Sequence, residues 1–453
     1  MKINPIIVDL YNLNIIIMKK FIVALIFLSL SVTSAFSQSW SALGSGSPDW
    51  GDCVAVYNNE LYSGGRYGIL KWNGSSWLAL GVGVVGEVVC LTVYQNKLIV
   101  GGAFSDAGAL GTPYLASWDG NAWNDLGGTT NSIVQSLAVW NNKLIIGGYF
   151  NQVENLPANY IVQYDGNNFT TMGSGTNSQV MALTSYNGDL YAGGFFTIAG
   201  GVSAAHLAKW NGTAWSAVGV GVSGIVYALG TYSGNLVVGG LFSSAGGVPA
   251  NAIALYNGTS YSALGSGCGS GFYPYVFSVV SNGNDLYVGG LYTVAGGLTV
   301  NGIAKWNGSA WSALGNGLTM PGNVYGAYGI CIYNSQLIAT GIFNSPAANI
   351  AAWGTITGIN NNHTIPNKFE LSQNYPNPFN PMTNIKWKML KMGNAKIVVF
   401  DVVGKEIATL VNEKLQPGTY KVTFDGSKLN SGVYFYRLIT DVFTETKKMI
   451  LIK

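Results

Sequence analysis

Trp210-Asn211-Gly212-Thr213-Ala214-Trp215 decides the fold, because the chain writes this phrase six times. It reads aromatic, Asn or Asp, Gly, two variable residues, aromatic. Its copies open at Trp72, Trp118, Tyr164, Trp210, Tyr256 and Trp306, in steps of 46, 46, 46, 46 and 50 residues. A seventh copy opens at Trp353 and stops at Gly354. Its missing half, Trp-x-x-Leu-Gly-x-Gly, stands at Trp40 to Gly46, at the other end of the repeat region. A period of this size means one supersecondary unit repeated.

Working outward from Trp210, the unit reads as four strands. Val180 to Tyr186 is an apolar run that ends at Asn187-Gly188-Asp189; Leu190 to Phe196 follows and holds Gly193-Gly194. A loop from Thr197 to Ala205 leads to Leu207–Trp210, and the chain then turns at Asn211-Gly212 into Trp215–Gly219. The runs are short and rich in Val, Leu, Tyr and Trp, which suits strands. Asn-Gly between such runs signals a hairpin, and the expected turn is type I′, with positive φ at both central residues. Four short strands per unit describe a β-propeller blade. Double glycines at 64–65, 101–102, 147–148, 193–194, 239–240 and 289–290, with Thr340-Gly341 as a degenerate seventh, count seven blades. The last blade lacks its outer strand, and Trp40–Gly44 supplies it. Joining the two ends in one blade removes an exposed edge. The expected fold is therefore all-β: a seven-bladed β-propeller over residues 38–356 with an N-terminal closure strand, then a small C-terminal immunoglobulin-like β-sandwich.

Double Gly closing the second strand, then an aromatic and a Trp on an outer hairpin, resembles kelch-type propeller repeats. The pattern also resembles the Gly-Gly-x-Phe, Trp-Asn-Gly-x-x-Trp and Leu-Gly-x-Gly repeats of fungal cell-polarity surface markers. Both likenesses imply architecture and leave function open, since one fold hosts many activities.

Charged residues make up 9% of the chain, while glycine (62 of 453) and aromatics (13%) are abundant, as a turn-rich all-β protein requires. Residues 38–365 hold 6 basic and 11 acidic residues, a net −5, whereas residues 366–453 hold 13 and 7, a net +6. A slightly acidic propeller lacks the basic footprint that nucleic acid requires. Met18-Lys19-Lys20, the apolar run Phe21 to Leu30 and Ala35-Phe36-Ser37 together read as a secretory signal peptide over residues 1–37, with Met18 as the expected start and Gln38 as the first mature residue. The four cysteines, Cys53, Cys90, Cys268 and Cys331, show no zinc spacing and read as buried free thiols.

Composition shifts after Trp353. Residues 357–367 read as a linker, and lysine rises from 5 in residues 38–365 to 12 in the remainder. Short strands separated by Val403-Gly404, Pro417-Gly418 and Ser431-Gly432 make residues 368–453 a separate β-sandwich. This module resembles the type A C-terminal sorting domain of proteins exported by the type IX secretion system of Bacteroidota. The residues that carry the likeness are Leu371 to Pro381 (Leu-Ser-Gln-Asn-Tyr-Pro-Asn-Pro-Phe-Asn-Pro), Phe400 to Glu406, Gly418-Thr419-Tyr420, Leu429 to Arg437 and Lys447 to Lys453. It implies passage to the periplasm and across the outer membrane, with the secretion machinery as partner through residues 368–453. Removal of the module, and attachment to the cell surface or release, commonly follow in that family. Lys386-Trp387-Lys388-Met389-Leu390-Lys391 is more basic than the family pattern, a patch suited to an acidic partner or simply a solvated strand face.

No catalytic constellation, metal-ligand set or cofactor motif stands out. The regular tryptophans recur at one structural place in every blade and read as packing between blades. A kelch-type copper-radical oxidase would need two His and two Tyr at the axis, and His206 is the sole His outside the linker. Departures from the repeat say more. From the second Gly to the aromatic, blades two to six take 16 residues, blade one takes 7 and blade seven takes 12. The connection after blade five holds Phe272, Tyr273 and Tyr275, and the connection after blade six holds Met320. Arg66, the propeller's sole Arg, sits beside Tyr67 in the short loop. Arg66, Tyr67, Phe272, Tyr273, Tyr275 and Met320 are thus the expected ligand-binding residues, on the face where second-to-third-strand and interblade connections emerge. The expectation is a secreted or surface propeller that binds a carbohydrate or a protein. The alternatives are a polysaccharide lyase or hydrolase with a site at the axis, and a structural surface protein. First-strand residues read as mostly Val, Leu, Ala and Ser, which favours binding or scaffolding over catalysis.

Overall fold

A computed structural model describes residues 38–48, 50–269, 274–319, 326–354, 369–390, 393–415 and 418–452. The expected signal peptide and linker lie outside them. Every element is a strand. In the repeat region seven four-stranded antiparallel sheets follow one another. The sheet around the opening phrase is typical, with Val180–Tyr186, Asp189–Gly194, Leu207–Trp210 and Trp215–Ala217 paired in chain order. The first strand of each sheet packs on the first strand of the next, and Ala327–Tyr333 returns to Gly51–Tyr57, so the sheets form a closed ring. The last sheet takes its outer strand from the far end of the region. Ser39–Ala42 pairs antiparallel with Ile350–Gly354 and sets Trp40 opposite Trp353.

Second strands are buried almost throughout, because a neighbouring sheet covers each face; Leu190 to Gly194 is an example. Their double glycines admit the next sheet. A Cβ at Gly101 would lie 2.6 Å from a Val134 methyl, and one at Gly147 would lie 2.7 Å from a Val180 methyl. The same nesting joins Gly64 to Val88, Gly193 to Val226, Gly239 to Val276 and Gly289 to Ala327. At the closing junction the sizes are exchanged: Thr340 stands where the others have Gly, and Gly51 stands where they have Val or Ala.

Turns between first and second strands have positive φ at both central residues in every sheet but the sixth, as at Asn141 (47°) and Asn142 (58°), the type I′ geometry. The opening phrase departs from that expectation. Trp210 pairs with Trp215 across a four-residue loop, and only Gly212 has positive φ (106°). The Asn211 side chain does the turning. Its Oδ1 accepts the backbone N–H groups of Thr213 and Ala214 at 2.9 Å. Asn73, Asp119, Asp165, Asn257 and Asn307 accept from the same two positions. Either Asn or Asp serves, because the turn uses the side-chain oxygen as an Asx turn does.

The phrase's aromatics bind blade to blade. Trp210 and Trp215 lie 5.4 Å apart, and the Trp215 indole N–H donates to the Met172 carbonyl of the preceding sheet at 2.7 Å. Trp311 donates to Leu264, the Tyr261 hydroxyl to Val218, and Trp40 to Leu314, at 2.7 to 2.8 Å. Trp40 therefore does for the seventh sheet what the second aromatic does for the others. On the opposite face, the Tyr or Trp ending the first strand donates to the next sheet's turn: Tyr57 to Asn96, Tyr94 to Asn142, Trp140 to Gly188 and Tyr186 to Gly234.

The C-terminal module has a three-stranded sheet (Glu370–Leu371, Met382–Met389, Gly418–Asp425) and a four-stranded sheet (Glu406–Leu415, Gly393–Phe400, Gly432–Thr440, Thr444–Leu451). They enclose one core that includes Phe379, Ile385, Trp387, Ile397, Tyr436 and Met449. The segment after Leu371 runs along the last strand. The Tyr436 hydroxyl donates to Ser372 O at 2.8 Å and accepts from Asn374 N at 2.7 Å, while Phe379 and Ile452 bond through their backbones.

Candidate functional site at the propeller axis

Each first strand carries a β-bulge just after its start. The register slips between Gly51 and Cys53, Val88 and Cys90, Val134 and Ser136, Val180 and Ala182, Val226 and Ala228, Val276 and Ser278, and Ala327 and Gly329. A bulge sets two residues of one strand against one of its partner and re-aims the extra one. The extra residues are Asp52, Val89, Gln135, Met181, Tyr227, Phe277 and Tyr328, one per sheet, and all are half-buried. All seven line a single cavity of about 460 Å³, joined by Tyr149. Because all seven first strands contribute, this is the mouth of the ring's axis.

The lining is two-sided. Sheets five, six and seven contribute Tyr227, Phe277 and Tyr328 in an unbroken arc. Phe277 meets Tyr328 at 5.1 Å and 78°, and meets Tyr227 at 5.5 Å and 80°. Tyr275 stacks on Phe277 at 5.4 Å and 17°, and Phe195 meets Tyr227 edge-on at 5.9 Å. Sheets one to four contribute Asp52, Val89, Gln135 and Met181. Asp52 is the one carboxylate among the described lining residues. Burial pushes the Tyr227 phenol up to about 12, with the Tyr275 and Tyr149 phenols adding to the effect, so it is a neutral donor at physiological pH. Cys53 and Cys90 also line the wall, and burial pushes both thiols up. That makes them poor nucleophiles. All four cysteines are free. Among the described residues no group of three or more His, Cys, Asp or Glu is placed to hold a metal ion.

Second-to-third-strand loops share this face with the interblade segments. Thr130 bridges to Val153, Thr176 to Ala199 and Val222 to Ala245, and Cys268–Gly269 pairs with Val294–Ala295. Cys268 is therefore a buried strand residue, in the place held by Thr130 and Thr176. Sheet one has only the two-residue turn Arg66-Tyr67 where the third to sixth sheets carry a small hairpin.

Of the expected ligand-binding residues, Phe272, Tyr273 and Met320 lie outside the described residues. Arg66 and Tyr67 occupy rim positions. Arg66 lies over Trp50 (5.3 Å to the ring centre) and Tyr67 (5.8 Å), and Tyr67 is 75% exposed. Arg66 N bonds Trp50 O as Tyr149 N bonds Ile133 O and Phe195 N bonds Gln179 O, so Arg66 holds the repeat position of Tyr149 and Phe195. Tyr275 belongs to the axial aromatic group. Sequence reasoning missed Asp52, Gln135, Tyr227, Phe277 and Tyr328. It read the first strands as mostly Val, Leu, Ala and Ser, without singling out the aromatics at the bulges. The signal was present: in five repeats the residue after the nested valine (Val88, Val134, Val180, Val226, Val276) varies freely inside an otherwise regular strand.

Residues 373–453 match the family described as secretion system C-terminal sorting domain. Residues 141–167 and 233–259 match a domain of unknown function described as a β-propeller. No curated protein matches the sequence. Solved structures with some likeness include a quinonprotein alcohol dehydrogenase-like protein from Bacteroides thetaiotaomicron VPI-5482 (10% identity, TM-score 0.28, covering 85% of this chain and 70% of that one). A glycoside hydrolase family 43 arabinoxylan arabinofuranohydrolase from Bacillus subtilis follows at 13% identity and TM-score 0.25, covering 90% and 98%. Dimeric latent PorU from Porphyromonas gingivalis follows at 10% and 0.17, covering 92% and 34%. These superpositions are too distant to carry an argument. The chain is a β-propeller that ends in a type IX sorting domain, which marks it for export to the cell surface or the extracellular space by that machinery.

Proposed function

We propose that this exported propeller is a binding protein, whose ligand, a carbohydrate or a protein, docks on the face that carries the interblade connections. One observation carries the reading: the axial mouth on that face is a concave cavity in a size range typical of ligand sites, lined by four aromatics, by apolar side chains such as Val89 and Met181, and by polar groups that include Asp52 and Gln135. Arg66, Tyr67 and Trp50 extend it to the rim. Glycoside hydrolysis uses a pair of carboxyl groups, whereas the described lining offers Asp52 alone. Binding is therefore favoured over cleavage. The test is a glycan array, together with a panel of purified surface proteins, probed with the chain from residue 38 onward. Specific capture of at least one ligand is expected. Failure to capture any overturns the reading, and release of oligosaccharides from a polysaccharide panel replaces it with an enzyme.

A further inference from the structure

The axial cavity's two-sidedness narrows the ligand. The ring does not need the aromatic arc for closure, because at sheets two and four the same bulge position is filled by Val89 and Met181. Tyr227, Phe277 and Tyr328 instead remain half-buried and turned into the cavity. The arc of three aromatic rings faces a wall where Asp52 and Gln135 stand among Val89, Met181 and Tyr149, and such a pairing of ring faces with a few hydrogen-bonding groups fits a molecule that is itself two-faced. A pyranose has that form, with C–H groups on one face and hydroxyls at its edge. The phenols of Tyr227 and Tyr328, the Gln135 amide and the Asp52 carboxylate offer donors and acceptors to such hydroxyls. Asp52 is the one acidic residue in the described lining, which holds no Lys, Arg or His. A carboxylated or sulfated sugar would meet repulsion there, and like-charge contact is a strong means of rejecting a wrong partner.

We propose that the axial mouth is a binding site for an uncharged glycan, with the sugar's C–H face against the Tyr227–Phe277–Tyr328 arc and its hydroxyls bonded from the Asp52 and Gln135 side. This rests on the ligand-binding reading above and replaces the Arg66 rim as the centre of the site.

Isothermal titration calorimetry on the chain from residue 38 to 453 tests it. The probes are the neutral tetrasaccharides cellotetraose, maltotetraose, xylotetraose and mannotetraose, with tetragalacturonate as the charged counterpart. At least one neutral sugar binds with one site per chain, and tetragalacturonate does not. Phe277→Ala weakens that binding about tenfold or more, the scale of one lost aromatic contact. Tyr227→Phe keeps the ring and removes one hydroxyl, and weakens binding severalfold while the thermal midpoint stays unchanged. Leu78→Ala, on an exposed outer strand, leaves affinity unchanged. Tetragalacturonate binding as tightly as the neutral sugars overturns the proposal. So does neutral-sugar binding that survives both Phe277→Ala and Tyr227→Phe, and that result leaves the broader binding reading in place. If no tetrasaccharide binds and the array or protein panel yields only a charged glycan or a protein, the neutral-glycan assignment alone fails. If nothing is captured in either experiment, both readings fail.

Discussion

At the junction that closes the ring, Gly51 and Thr340 have traded the sizes that valine and glycine hold at most of the others. The exchange accounts for the one degenerate double glycine in the sequence. Thr340 is fully buried, and its hydroxyl donates to Asn349 O at 3.0 Å, so the larger side chain is fixed on that strand. Gly51 lies in an extended strand without positive φ, and the three atoms nearest to a Cβ there all belong to Thr340. Gly51→Val is expected to destabilise the propeller by about 2 kcal/mol, the usual cost of overpacking. Adding Thr340→Gly to it restores the arrangement found at the other junctions and recovers most of the loss. Denaturant unfolding of the two single variants and the double variant checks this, and strictly additive losses would refute the exchange. The axial residues belong to the same scale. Asp52, Tyr227, Phe277 and Tyr328 escaped sequence reading because a bulge is invisible in a strand's alternation. The pattern shows that a residue is in the strand and does not show that it has been turned out of the ladder.

Among the elements, the outer hairpin was the most legible and also the most misleading in detail. Its place, its partner strand and its role between blades all follow from the spacing of the phrase. Its turn does not. Asn-Gly suggested a type I′ bend, yet the four-residue loop is held by a side-chain oxygen. The free exchange of Asn with Asp in the phrase was the available clue. The strand Ser39–Ala42 was legible for a different reason, as half a phrase with its other half at Trp353. Trp40 packs on Trp353 at 5.4 Å and bonds Leu314 O. Trp40→Ala is therefore expected to cost about 3 kcal/mol, and to leave the seventh sheet's edge prone to pairing with other chains. A fall in the denaturation midpoint, accompanied by concentration-dependent aggregation, would show this. An unchanged midpoint would mean that the strand is only loosely attached.

On the scale of the whole molecule, a nearly neutral ring is joined to a basic module whose task is delivery. The motif-rich segment Leu371 to Pro381 is structural within that module, laid along the last strand and held by Tyr436. In a host with type IX secretion, deletion of residues 373–453 is expected to remove the protein from the cell surface and the medium. Fractionation and immunoblotting against the propeller would read this directly, and continued surface display would show that the tail is dispensable. The closure of the ring imposes an order on the life of the chain. Ser41 bonds Ala352, 311 residues away. The first part of the ring to leave any exit is thus the last to find its partner, and a product truncated before Ile350 is born with a frayed end. Completion of the seventh sheet becomes a checkpoint: only a chain that has been made through Gly354 can clasp its own beginning.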